Sequence, residues 1–238
     1  MKNIQNDKAS YQVAALMSKC LEAIRKSYAG EKKNIDEIRL SFPFSYDDYL
    51  KLFAESANCI LSNRRESSSF VLDKWNEPFL QQLYLYLTLN KQFNGDLHKG
   101  IMLLGKFGCG KTLIMQALMG MYNTVIQTLY IQRPLLKLYK AIELQDELEE
   151  KSVKQYAKLP LIIDDFGREP KQIMVFGNLR SPLIELLSTR YDNAAWTHGT
   201  SNFTLDVLSS EKFYGKMLGD RFISMFNFIE LKGDSRRK

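Results

Sequence analysis

Cysteine and histidine are scarce in this chain. Cys20, Cys59 and Cys109 stand far apart, and His98 and His198 are the two histidines. No paired spacing exists, which argues against a zinc site or a disulfide framework. Two histidines in unrelated contexts argue equally against Ser-His or Cys-His catalysis. Unpaired thiols suit a reducing, cytoplasmic compartment. The polar start, Met1 to Lys8, lacks the apolar centre of a signal peptide. No apolar run approaches the ~20 residues needed to cross a bilayer. Low-complexity tracts and internal repeats are absent too. Charge is nearly balanced, with 33 Lys plus Arg against 27 Asp plus Glu. The resulting +6 favours an anionic partner (nucleotide, nucleic acid or acidic protein) without choosing among them.

What is present is an ordinary globular composition, 45% hydrophobic and 25% charged in 238 residues. Residues 9–28 carry Val13, Leu16, Met17, Cys20, Leu21 and Ile24 at steps of three and four, which predicts an amphipathic helix. Residues 45–62 repeat the pattern, with Ser45 as N-cap and Asp48 three residues on. The polar stretch Asn63 to Ser69 reads as a loop. These features predict a small N-terminal helical module over 1–69, which binds a partner or simply packs on the main domain.

Beyond residue 70 the texture changes. A helix is expected from Asn76 to about Lys91, with Pro78 in its first turn. Ile101–Leu104, Val125–Ile131, Leu159–Ile163, Ala194–Ser201 and Phe226–Leu231 read as strands. Segments 111–121, 134–150 and 180–192 read as helices. Such alternation predicts an α/β domain over 70–238, with a five-stranded, mainly parallel sheet flanked by helices.

Gly105-Lys106-Phe107-Gly108-Cys109-Gly110-Lys111-Thr112 matches the phosphate-loop pattern G-x-x-x-x-G-K-[ST] in full. It follows a short apolar strand and opens a helix. Glycines let the backbone curl so that successive N–H groups face phosphate oxygens, and the helix N-terminus adds favourable charge. The nucleotide-binding set is Gly105, Phe107, Gly108, Cys109, Gly110, Lys111, Thr112 and Leu113. Lys111 is expected at the β- and γ-phosphates and Thr112 at Mg²⁺. Cys109 reads as a small permissive loop residue.

A carboxylate at the end of a neighbouring strand should complete the site. Leu159 to Ile163 runs straight into Asp164 and Asp165. Asp164 is expected to hold Mg²⁺ or its water. Asp165 is expected to orient or deprotonate the attacking water. Asn202, after the strand ending Thr200-Ser201, is placed to reach the γ-phosphate or that water.

At these residues the chain resembles the AAA+ superfamily, and more narrowly the DnaC-type helicase loaders and the IstB-type transposition ATPases. The resemblance covers about 70–238. It is carried by Lys99 to Leu104 leading into the phosphate loop, by Ile162-Ile163-Asp164-Asp165-Phe166-Gly167 and by Thr200-Ser201-Asn202. It continues through Tyr214-Gly215, Gly219-Asp220-Arg221, Met225-Phe226-Asn227 and Gly233-Asp234-Ser235-Arg236. It implies strand order 5-1-4-3-2, ATP with Mg²⁺ at the carboxyl ends of the strands, and head-to-tail assembly. Arg221 matches the arginine-finger position that completes a neighbour's site, and Arg190 is a second candidate for that role. Asp165 stands where the family carries Glu, which implies slow hydrolysis. Met225 stands where a second arginine is common. Few residues follow Leu231, so the helical lid is short or absent, with Arg236 and Arg237 as partial replacements.

The resemblance further implies a DNA-replication ATPase that loads a replicative helicase and contacts single-stranded DNA. The alternative is a transposition helper that assembles on duplex DNA and meets a transposase. Arg133, Lys137 and Lys140 near Tyr139 form the candidate DNA surface, on an extra helix within 133–158. A small-molecule kinase would need a mobile lid with paired arginines. A non-hydrolysing nucleotide switch stays open because Asp165 is short.

Overall fold

Apolar side chains alternate along short strands, and that alternation feeds two cores. In β1 (Gly100–Leu104), Ile101 and Leu103 enter one hydrophobic cluster and Met102 the other. In β3 (Leu161–Phe166), Ile162 joins the first cluster while Leu161 and Ile163 join the second. A sheet buried on both faces needs apolar residues at every position, as these runs supply. The computed structural model describes residues 17–19, 21–22, 39–64, 69–175, 178–233 and 235–236.

The chain divides into two compact units, Met1–Arg39 and Leu40–Lys238. In the first, residues 17–19 and 21–22 are helical. The rest of the helix expected over 9–28 lies outside the described residues.

In the second unit, α1 (Tyr46–Asn63) precedes α2 (Glu77–Leu87), β1 and α3 (Lys111–Thr128). Then come β2 (Lys137–Lys140), α4 (Ala141–Glu150), β3, and a hairpin of β4 (Ile173–Val175) with β5 (Asn178–Arg180). The chain ends through α5 (Pro182–Asp192), β6 (Thr197–Ser201), α6 (Leu205–Leu208), α7 (Gly215–Met225) and β7 (Phe226–Glu230). The main sheet is five-stranded and parallel, in the order β2-β3-β6-β1-β7. Numbering those five strands in chain order and reading from the β7 edge gives 5-1-4-3-2, the expected order. Side chains of α1, α2 and α3 fill one cluster, and those of α4, α5 and α7 fill the other.

Helix α1 starts as expected. The Ser45 hydroxyl accepts from the Asp48 N–H at 3.2 Å and donates to the Asp48 carboxylate at 2.7 Å. Its buried face, Tyr49, Phe53, Ala57 and Leu61, belongs to the unit Leu40–Lys238. Ser56 donates to the Ala117 carbonyl in the middle of α3 at 3.0 Å. Residues 40–64 thus pack on the main domain, one of the two outcomes the sequence leaves open for the N-terminal segment.

Two expected elements differ. Val125–Ile131 is not a strand, because Val125 and Ile126 extend the buried stripe of α3 through Ile114, Leu118, Met121 and Tyr122. Helical spacing outweighs β-branched propensity there. The helix ends where Tyr130 adopts φ 52°, and the Ile131 N–H reaches back to the Ile126 carbonyl at 2.9 Å. Residues 137–140 form the second strand instead, as a short edge of the sheet. The side chain of Asn123 docks its entry, accepting from the Leu136 N–H and donating to the Leu136 carbonyl, both at 2.8 Å.

Phe53 is fully buried between α3 and the aromatic residues of α1. Phe53→Ala is expected to lower stability by about 3–5 kcal/mol. Urea unfolding of the full chain measures this, and a loss confined to a few tenths would mean that α1 is peripheral.

Candidate nucleotide site

Strands β3, β6 and β1 are adjacent, so their carboxyl ends share one rim of the sheet. The loop after β1 curls through Gly108 at φ 80° and Gly110 at φ 104°, conformations that favour glycine. A Cβ at Gly108 would collide with the Ser235 hydroxyl. The loop ends as α3 begins at Lys111.

Lys111 is 5% exposed, and its ammonium donates to the Gly105 carbonyl at 2.8 Å, the Lys106 carbonyl at 2.9 Å and Asn202 Oδ1 at 2.8 Å. Burial lowers its pKa, while the Cys109 sulfur, Asp165 and Asp164 act in the opposite sense. Cys109 is buried, with Sγ 3.8 Å from the ammonium. Thr112 donates to Asp164 Oδ2 at 2.9 Å. Thr200 donates to Asp164 Oδ1 at 2.5 Å and accepts from the Asp165 N–H at 2.9 Å. Desolvation raises the Asp164 pKa, and the two hydroxyl donors oppose that rise.

The register of β3 on β6 shifts between Ile163 and Phe166. Asp165 lies in this irregularity with φ 62°. Such a bulge re-aims a side chain. Consecutive carboxylates consequently meet different surroundings. Asp164 is buried among hydroxyls. Asp165 accepts from Asn202 Nδ2 at 3.3 Å and from Arg168 Nη1 at 2.8 Å.

A cavity of about 350 Å³ opens over the loop. Residues 107–114 line it together with Asp165, Arg168 and Asn202, and Leu61, Arg64, Phe70 and Val71 form its other side. Arg236 lines it as well, donating its N–H to the Gly108 carbonyl at 3.0 Å and pairing with Asp73 at 2.9 Å. The chain after β7 therefore runs back across the loop. Arg237 lies outside the described residues.

The residues fit a Mg²⁺-nucleotide. The loop amides and Lys111 would take phosphates, and Thr112 with Asp164 would hold the metal. Mg²⁺ needs only one or two protein oxygens beside phosphates and water. Bound there, the ion would screen charge on the phosphates. Among the described residues, no group of three or more His, Cys, Asp or Glu forms a dedicated metal cluster.

The structure brings the phosphate loop, Asp164, Asp165 and Asn202 together. Arg221, in contrast, is not among the residues that line the cavity. It projects from α7 with its guanidinium 5.0 Å from the centroid of the Tyr191 ring. Arg190 has no exposed surface. It donates to Thr197 Oγ1 at 3.0 Å, to the Trp196 carbonyl at 2.8 Å and to the Tyr156 carbonyl. Burial pushes its pKa down to about 9, still charged at neutrality. A guanidinium so enclosed cannot reach a neighbouring subunit, which removes Arg190 as a trans-acting candidate.

The expected DNA surface changes as well. Lys137 and Lys140 lie on an edge strand, not on a helix. Tyr139 packs edge-on against Tyr156 at 5.7 Å. Lys140 pairs with Glu143 at 2.6 Å. The helix that follows is acidic on its solvent side, as Glu143, Asp146, Glu149 and Glu150 indicate. Sequence reading missed two contributors, Thr200 and Arg168. The spacing Thr200-Ser201-Asn202 at a strand end was visible, but the carboxylate facing Thr200 was set by strand register.

No known family's sequence pattern matches the chain, and no curated protein does. Among solved structures it is similar to a DnaI crystal structure, at 23% identity over 72% of this chain and 89% of that one, with a TM-score of 0.49. It is similar to a DnaC helicase loader at 21% identity, over 70% and 95% of the two chains, with a TM-score of 0.49. AMPPCP-bound DnaA from Aquifex aeolicus follows at 18% identity and a TM-score of 0.46, over 69% of this chain and 49% of that one. Values this low assign no activity. The chain's own strand order and phosphate loop define an α/β fold of the P-loop kind, with the order 5-1-4-3-2 that the resemblance implies.

Burial of Asp164 disfavours its ionised form. A carboxyl whose folded pKa lies above 3.8 costs stability while ionised and regains it as pH falls through the folded value. Asp164→Asn is therefore expected to raise the thermal midpoint at neutral pH while weakening Mg²⁺-dependent nucleotide binding. A lowered midpoint would show that the hydroxyl bonds outweigh desolvation.

Proposed function

We propose that this chain binds ATP with Mg²⁺ and hydrolyses it slowly, as a replicative helicase loader that contacts single-stranded DNA. The observation that carries the nucleotide reading is the convergence of Lys111, Thr112, Asp164, Asp165 and Asn202 on the ends of three adjacent strands. Asp165 would orient the attacking water through its carboxylate, and Asn202 lies between it and Lys111. The Asp side chain is short, and both of its oxygens already accept hydrogen bonds, in keeping with slow turnover.

The loader reading rests on the resemblance of the whole motif set. Past β7 the Leu231 N–H donates to the Leu104 carbonyl at 2.8 Å, and Arg236 crosses the phosphate loop. Subunits would assemble head to tail, with Arg221 delivered to a neighbour's γ-phosphate to stabilise transition-state charge. Its place outside its own cavity supports a role in trans. Among the described residues no helix is long and apolar enough to cross a membrane, and the free thiols of Cys59 and Cys109 fit the cytoplasm.

Arg221→Ala is expected to leave nucleotide affinity unchanged and to reduce hydrolysis at least tenfold. Mixing it with a Lys111→Ala chain should restore part of the activity, because each supplies what the other lacks. No recovery on mixing removes the shared site.

The loader function is tested with the full chain, a purified hexameric helicase and labelled DNA. Capture of the helicase, with single-strand affinity that falls steeply with salt, is the expected result. Preference for duplex, with capture of a transposase instead, would move the assignment to the transposition helper.

A further inference from the structure

Arg168 lies three residues after Asp165, at the cavity that holds the phosphate loop. Its main chain is held firmly. The Gly167 N–H donates to the Tyr214 hydroxyl and to Glu169 Oε2, each at 3.1 Å, and the Arg168 N–H donates to the Asp165 carbonyl at 3.3 Å. Its side chain is half open, at 52% exposure. The guanidinium donates to Asp165 Oδ2 at 2.8 Å and lies 5.6 Å from the centroid of the Phe107 ring. Phe107 belongs to the phosphate loop itself and is 61% exposed.

These groups form one continuous line. Lys111 donates to Asn202 at 2.8 Å, Asn202 donates to Asp165 at 3.3 Å, and Arg168 donates to the other Asp165 oxygen at 2.8 Å. A cation stands at each end, and the carboxylate lies next to the outer one. Phosphates that follow the loop meet Lys111 first. The next positive charge along the line is Arg168.

The arginine end of this pair is open to water, and Asp165, 19% exposed, keeps its hydrogen bond from Asn202, so exchanging the arginine's partner costs little. A guanidinium matches phosphate oxygens with two parallel donors, better than the single contact it makes with Asp165. The Phe107 face offers the planar group a surface on which to turn.

We infer that Arg168 distinguishes a nucleoside triphosphate from a diphosphate, by exchanging the Asp165 carboxylate for the terminal phosphate. The exchange leaves Asp165 Oδ2 free to accept from water, so recognition of the third phosphate and release of the carboxylate are one movement. This rests on the nucleotide reading proposed above.

The test titrates ADP and a non-hydrolysable ATP analogue into the full chain with Mg²⁺. Arg168→Gln is expected to weaken the triphosphate by about tenfold, the loss of a charged hydrogen-bonding partner. ADP affinity should stay within about twofold, because this variant leaves the loop and Lys111 in place. The ratio of the two affinities is the readout, and a fraction of unfolded protein does not change it. Arg168→Lys, which keeps charge but not the planar fork, should fall between. An unchanged ratio with both nucleotides still bound overturns the inference and leaves the nucleotide reading intact. If the unaltered chain binds neither nucleotide, the parent reading fails and takes this one with it.

Discussion

One buried cation organises the site. The Lys111 ammonium is enclosed, and a charge taken from water must find partners in the fold. Two of its acceptors are carbonyls of its own loop and the third is Asn202, carried at the end of a different strand. The curl of the glycine loop and the register of β1 on β6 must therefore be correct together. Met102 opposite Gly199 and Leu104 opposite Ser201 set that register. The same enclosure gives the ammonium its reach toward anions, because its field is poorly screened there.

Around that cation, two consecutive carboxylates are made unlike by their surroundings. Asp164 ends the regular part of β3 and is boxed in by hydroxyls from α3 and β6. Asp165 follows in a left-handed conformation, which tips it to the cavity side. Strained backbone of this kind persists where neighbouring contacts hold it. Here the Thr200 hydroxyl holds the Asp165 N–H, and Tyr214 with Glu169 holds the Gly167 N–H. One carboxylate is thereby enclosed among hydroxyls while the other faces the cavity, a difference made by environment alone.

The arginines repeat the lesson. Arg190 is sealed among two carbonyls and a threonine hydroxyl, tying α5 to the start of β6 and to Tyr156. Arg221 leans over Tyr191 at the surface. Arg236 bridges the chain end to Asp73 across the phosphate loop. Each has the same fixed charge, and what each can do follows from how much water it keeps and which acceptors surround it.

Much of this was readable beforehand. The phosphate loop is a local pattern, since glycines at fixed offsets dictate a backbone curl whatever lies around them. The apolar run into Asp164-Asp165 and the Ser45 cap are local for the same reason, and their placement needed no partner. The extension of α3 through Val125 and Ile126 was hidden, because a short β-branched run reads as strand until a helix surface is there to bury it. The edge strand at Lys137–Lys140 was hidden for the complementary reason, as four mixed residues become a strand only beside β3. The assignment of α1 to the main domain was also a matter of contact, through Phe53 and Ser56 on α3. By itself the sequence determined the kind of site and the strand that carries each acid. Tertiary structure alone decided which arginine is buried, which carboxylate faces Thr200 and where Arg168 points. Those outcomes depend on pairing between segments far apart in the chain, and no local spacing encodes the distance between them.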